Sequence, residues 1–385
     1  MKLLRHIPRV PALLLTTAGL LALAIAAEAQ VLPEDRADAL YHSYEGGGVE
    51  ITGPSLLVRK KITNDVSVSA NYYVDSISSA SIDVLSYASP YNEERTEVSV
   101  GADVIVGEAI VSVGYTNSDE NDFTAQTSYV GISQEVFGGL TTVRMGFARG
   151  DDEVGQVTDA LFAEEAKRRS FRLGITQVIT KNMIVNLDYE GITDEGYLNN
   201  PYRQVRFADA TDSRGYRFQQ EIYPNTRTSS AFALGSRYFL NKDAALYGGA
   251  RFFDDDWGIS AWNANIGFTY RWRDRWLFDV STRVYDQSKA DFFSDLFPFE
   301  DAQNFLGRDK EISTHTNQTI KLDVSYDLFK NSPGMFNRGT ANFSYARINF
   351  DYDDFRDILT GGPAGAEPLY SFDADVIQLY FSFWY

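Results

Sequence analysis

His42 and His315 are the only imidazoles beyond residue 6, and the 385 residues contain no cysteine. Nucleophile–base chemistry would therefore rest on one of these two rings or on carboxylates. Ser313, His315 and Asn317 place a hydroxyl, an imidazole and an amide at alternate positions, which an extended strand would turn to one side. Alternate strand residues stand about 7 Å apart along a line, whereas a nucleophile must come within about 3 Å of its base. One strand cannot supply that contact, so no catalytic residue is assigned and the chain is read as a non-enzyme.

Acidic clusters recur at Ser118–Asp122, Asp151–Glu153, Asp254–Asp256 and Asp351–Asp354. Oxygen-only ligands suit Ca²⁺ or Mg²⁺, and such ions also bridge lipopolysaccharide phosphates. None of the clusters has the EF-hand order with its central Gly and distal Glu. They read as solvated acidic loops, and neither metal nor cofactor is assigned. The one glycine triplet, Gly46-Gly47-Gly48, lacks the Lys and the strand–helix setting of a phosphate-cradling loop. A formal net charge of −18 excludes a basic nucleic-acid face.

The elements that carry these groups show a repeated period of two. Val66, Val68, Ala70, Tyr72 and Val74 alternate with Ser67, Ser69, Asn71, Tyr73 and Asp75. Val98, Val100 and Val104 alternate with Glu97, Ser99 and Asp103, and Val143, Met145 and Phe147 with Arg144 and Gly146. The chain ends DVIQLYFSFWY, with Ile377, Leu379, Phe381, Phe383 and Tyr385 on one face. In water such a strand would invite edge-to-edge aggregation, so something apolar must lie outside it. Aromatic residues make up 14% of the chain, yet mean hydropathy is only −0.27. That combination fits strands with one face in lipid and one in water.

Connections alternate in length. Short ones fall at Thr63–Asp65, Gly107–Ala109, Gly138–Gly139, Thr180–Asn182, Asn241–Asp243 and Arg273–Asp274; longer polar stretches fall near 77–95, 150–168, 192–228, 288–310 and 351–370. Short turns on one rim and long loops on the other predict an all-β fold, a transmembrane antiparallel β-barrel with short periplasmic turns and long extracellular loops. Fifteen strands follow residue 51, and a weak first strand near Ala39–Glu45 makes sixteen, with fourteen as the fallback. At the N-terminus, Lys2, Arg5 and Arg9 precede an apolar run and Ala27-Glu28-Ala29, the pattern of an export signal cut after Ala29. The expected organisation is a signal peptide over 1–29 and one barrel domain over 30–385, located in the bacterial outer membrane.

Alternation directs Arg144, Arg172, Arg237, Arg251, Arg271, Arg283 and Lys321 to the lumen, facing Glu97, Asp103, Asp188, Glu190, Asp279, Asp323 and Asp327. Seven of each sign predict a balanced wall with no readable selectivity, and sixteen strands leave an aqueous bore unless loops fill it. The stretch YLNNPYRQVRF could fold inward as a constriction carrying Tyr202, Arg203, Arg206 and Phe207, or form an ordered cap outside the membrane. Trp257, Trp262, Trp272, Trp276 and Tyr285 are expected in the interfacial girdles. Phe381, Phe383 and Tyr385 look like the terminal signal read by outer-membrane assembly machinery.

Several stretches resemble one bacterial family, domain of unknown function 3570. They are LPEDRADALYHSYEGGGVEITGPSLLVRK (32–60), SANYYVDSISSASIDVLS (69–86), YTNSDENDFTAQTSYVGISQ (115–134), EGYLNNPYRQVRF (195–207) and DFFSDLFPFEDAQNFLGRDKEIST (291–314). The resemblance implies an outer-membrane barrel with no assigned activity or site. Genes of that family often stand beside a small lipoprotein-like protein, a thioredoxin-like protein and a flavin transferase, which implies a link to an extracytoplasmic redox system. The leading expectation is a porin-like passive conduit for small polar solutes. The alternative is a non-conducting barrel that docks or houses a lipoprotein or redox protein; an outer-membrane lipid hydrolase comes third. Outer-membrane lipid, lipopolysaccharide and the assembly machinery are the expected partners.

Overall fold

The structure, a computed structural model, describes residues 31–87, 91–332 and 334–385; the expected signal peptide lies outside them. The first half of the wall is β1 (Arg36–Gly46), β2 (Val49–Lys61), β3 (Val66–Ser79), β4 (Tyr91–Val106), β5 (Ala109–Asp119), β6 (Phe123–Val136), β7 (Thr141–Gly155), β8 (Ala163–Thr180) and β9 (Met183–Gly196). A short helix, α1 (Ile82–Tyr87), lies between β3 and β4. After β9 comes a separate two-stranded sheet, β10 (Gln204–Ala208) and β11 (Tyr216–Gln220). The wall resumes with β12 (Thr226–Phe239), β13 (Ala244–Asp255), β14 (Ser260–Trp272), β15 (Trp276–Gln287), β16 (His315–Lys330), β17 (Arg338–Arg356) and β18 (Leu369–Trp384). All the wall strands pair antiparallel with their neighbours, and β18 returns to β1 to close a barrel of sixteen.

Register aligns the apolar face around the wall. Phe147 stands opposite Phe171, Leu173 opposite Tyr189, Leu187 opposite Leu234, and Phe232 opposite Phe252. Met145, Leu234 and Ile320 are exposed as in a core turned inside out, because this face meets hydrocarbon. The other face of the same strands is small or charged. At the closing seam Arg36, Trp384 and Arg338 share a level on the inner face. Both guanidiniums stack on the indole, at 5.8 and 4.0 Å.

The strands run further than alternation predicts. Residues 150–155 and 163–168 belong to β7 and β8, and 351–356 to β17, so two of the four acidic clusters lie wholly in strands rather than loops. Above the lipid both faces meet water, and a polar residue satisfies either one.

The long loops pack together across their rim as a cap. Its core joins Ile82, Trp257, Phe292, Phe293, Ile312 and Phe355 to the inward rings Phe253, Phe350 and Phe372 of the wall. A second cluster of Val205, Phe207, Phe297 and Leu306 fastens the β10–β11 sheet to the β15–β16 loop. Trp257 is aimed by its turn: Asp255 Oδ1 accepts from the amides of Trp257 and Ile259 at 3.0 and 2.8 Å. Gly258 between them holds φ +88°, and a Cβ there would meet the Asp291 carboxylate.

Candidate functional site

Inside the barrel the cap roofs a cavity of about 410 Å³. Arg168 (β8), Arg227 (β12) and Arg251 (β13) line it, with Phe253, Trp257 and Tyr285 beside them. Arg168 Nε donates to Asp194 Oδ1 at 2.6 Å, and Arg227 Nε to Asp255 Oδ2 at 2.8 Å. The Arg227 guanidinium lies 4.6 Å from the Trp257 ring centre and 5.8 Å from that of Phe253. Arg251 lies 5.9 Å from Phe253, and Arg283 5.7 Å from Tyr285. One carboxylate, Glu190, accepts from both Arg172 (2.7 Å) and Arg251 (3.2 Å). Arg283 donates to the neutral Asn317 Oδ1 at 3.3 Å and pairs with no carboxylate among the described residues.

Toward the short-turn rim the inner wall continues through the other charges read from alternation. Arg144 and Asp188 approach to 3.5 Å, and Lys321 and Asp323 to 2.9 Å. Asp103 accepts from Ser112 at 2.5 Å with Arg59 at 3.7 Å, while Glu97 accepts from Ser99 at 3.5 Å. Asp279 accepts from Tyr247 and Thr269 at 2.6 and 2.5 Å, and Asp327 pairs with Lys330 at 2.5 Å. Arg237 donates to Thr269 at 3.3 Å and lies over Tyr247, and Arg271 is exposed.

The residues expected at a constriction sit in the cap instead. Arg206 is fully buried and cannot face the bore. Its Nη1 donates to Glu367 Oε1 at 2.5 Å, its Nε to the Asp295 carbonyl at 2.8 Å, and its Nη2 to the Asp295 carboxylate. Phe207 is buried in the second cluster, and Arg203 pairs with Asp309. Tyr202 donates to Asp122 at the β5–β6 turn and accepts from the Val157 amide at 2.7 Å. Burial and the Asp122 carboxylate push its hydroxyl pKa up to about 12. Burial raises Glu367, but bonds from Arg206 and backbone amides outweigh this and hold its carboxyl below the usual range.

Ser313 Oγ donates to the Lys310 carbonyl at 2.6 Å, while His315 Nδ1 faces the Ser313 carbonyl at 3.2 Å and Asn317 serves Arg283. The three do not form a nucleophile–base relay. The other histidine belongs to an unforeseen polar cluster on the inner wall. His42 Nε2 lies 2.7 Å from Asp75 Oδ1 and 3.1 Å from the Tyr73 hydroxyl, its ring stacked on Tyr73 at 4.9 Å. Arg95 donates to the other Asp75 oxygen. This contact skips a strand: Gly53 stands between His42 and Asp75 without a side chain, and a Cβ there would lie 1.7 Å from the Val74 carbonyl oxygen. Among the described residues no three His, Asp or Glu side chains converge as a metal site. Of the residues expected in the interfacial girdles, Trp257 and Tyr285 face the cavity instead, because cap and inner wall pack around them, while Trp262 is exposed on the outer face.

Solved structures with the same architecture place the chain in a class. A bacterial polysaccharide outer membrane secretin aligns with TM-score 0.52 at 7% identity, over 92% of this chain and 99% of that one. A FadL homologue of Pseudomonas aeruginosa aligns at 11% identity and TM-score 0.43, over 91% and 90%. OccK2 (OpdF) of the same organism, in complex with glucuronate, aligns at 9% identity and TM-score 0.43, over 91% and 98%. No curated protein sequence matches the chain. The fold is that of an outer-membrane β-barrel. Within that class, the chain belongs to the family described as Protein of unknown function (DUF3570), whose profile matches residues 82–335.

Proposed function

We propose that this barrel is a conduit for small polar solutes whose extracellular mouth is closed by the cap at rest. The observation that carries the reading is the size of the inward side chains. Ser69, Gly101, Ser112, Gly131, Gly146, Gly174, Ala233, Gly249 and Ser281 are all on inner faces. A sixteen-stranded wall already encloses more space than its side chains can fill, and small ones keep it open and hydrated. Charges at intervals along this wall would replace part of a solute's hydration shell as it passes. The test is conductance of purified protein in a planar bilayer, where rare, sustained openings above a quiet baseline are expected. Steady silence, including after loosening of the cap, would discard the conduit.

The cap favours a second reading. A barrel roofed by a packed core could be non-conducting and house or dock a partner, such as the lipoprotein or redox protein that the family resemblance implies. Electrical silence together with co-purification of one such protein would support it.

A further inference from the structure

We infer that the cavity under the cap binds a small organic anion, a carboxylate or phosphate carried on a planar body, through Arg251 and Arg283. The inference deepens the conduit reading by naming the class of solute.

The carboxylates in the cavity lining, Asp194, Asp309 and Glu311, are taken up by Arg168 and Arg203. Below them Arg172 and Arg251 share Glu190, and Arg283 has only the Asn317 amide, which leaves an excess of guanidinium where the cavity opens to the lumen. Arg227 is held in place by Asp255 and adds its field. Guanidinium forks match oxyanions in geometry as well as charge. A roof of apolar residues strengthens such pairs by excluding water.

Arg251, Asn263 and Tyr285 share one level across β13, β14 and β15; one step below, Gly249, Asn265 and Arg283 share the next. The uncharged neighbours leave space between the two guanidiniums. Tyr285, with Arg283 beside it, and Phe253, with Arg227 and Arg251 beside it, supply an apolar bed for the body of the ligand. Toward the periplasmic rim, Arg237 and Arg271 continue the basic side of the lumen and pair with no carboxylate among the described residues. An anion leaving the cavity would find further cations along its route.

The test titrates the detergent-purified full chain with benzoate, inorganic phosphate and neutral benzamide, reading emission from Trp257 at the cavity edge. Saturable binding of benzoate or phosphate is expected, with benzamide at least about tenfold weaker. Saturation by benzoate alone assigns a carboxylate, and by phosphate alone a phosphate. The double variant R251Q/R283Q should lose the same factor while keeping the heat-resistant migration of a folded barrel. Unchanged affinity in the variant, or equal binding of benzamide, would overturn the site. Conduction is not needed for this readout: a silent barrel that binds benzoate removes the conduit and keeps the site, and a conducting one that binds neither anion does the reverse.

Discussion

Arg206 and Glu367 are 161 positions apart in sequence and form a two-point pair inside the cap, Nη1 to Oε1 at 2.5 Å and Nη2 to Oε2 at 3.1 Å. Asp295 binds Arg206 from the other side and also accepts from Arg308 Nε at 3.1 Å. Arg308 in turn covers the Phe355 ring at 4.4 Å. Three separate loops are thereby joined through one buried guanidinium.

Removing that guanidinium should leave the buried Glu367 carboxylate without its cation, while Asp295 keeps Arg308. Arg206→Met is expected to destabilise the cap by about 3–5 kcal/mol, the usual cost of breaking a buried pair from one side. The barrel wall should stay intact. Limited proteolysis should then cut within 209–215 at least tenfold faster than in the parent, while heat-resistant migration is unchanged. Equal cutting rates would show that the pair does not hold the cap.

Acid should act on the same joint. The Glu367 carboxyl is held below its ordinary value of 4.5, so its contribution is present above that value and is lost as pH falls through the folded one. Protection of the cap loops should therefore decline below about pH 4.5 and recover on neutralisation. Glu367→Gln should remove much of this pH dependence; an unaltered acid profile would place the titration elsewhere.

Gly53 is the opening through which His42 reaches Asp75. Gly53→Ala puts a carbon into the Val74 carbonyl, so β2 must shift and the yield of folded barrel should fall. Asp75→Asn tests the contact without that clash. It leaves Arg95 without its carboxylate and should cost about 1–3 kcal/mol, read as a lower temperature for loss of heat-resistant migration.

The final aromatic residues offer a further test. Phe383 packs on Phe336 at 5.2 Å and Tyr385 donates to the Arg59 carbonyl at 3.0 Å, with Lys60 over its ring. If they also form the assembly signal, deleting 383–385 should lower the amount of barrel in outer-membrane fractions well beyond any loss of stability measured after refolding in detergent. Proportionate losses would leave them a packing role only.

Sequence revealed most where the two faces of a strand meet different solvents. Met145 and Phe147 set against Arg144 mark a membrane-crossing strand because lipid accepts one set and water the other. A few residues further on, Arg149–Gly155 carry no such contrast, since water bathes both sides, and the strand there reads as loop. That misreading hid Arg168, Asp194 and Arg227, all of which lie in stretches taken as loop, so the upper half of the cavity was missed while Arg251 and Arg283 were found. Arg206 had no local signal either, because its partners lie on two other loops. The His42 cluster depends on a missing side chain one strand away, which only register exposes.

A flap hinged on two residues could lift in microseconds. This cover cannot, because its rings are shared with the barrel wall: Phe350, Phe372 and Phe253 belong to rigid strands and to the roof together. Uncovering the entrance means separating a dry interior from its own foundation, so the open state should be rare and long-lived once reached. Recordings should accordingly contain isolated bursts separated by long silences rather than continuous flicker.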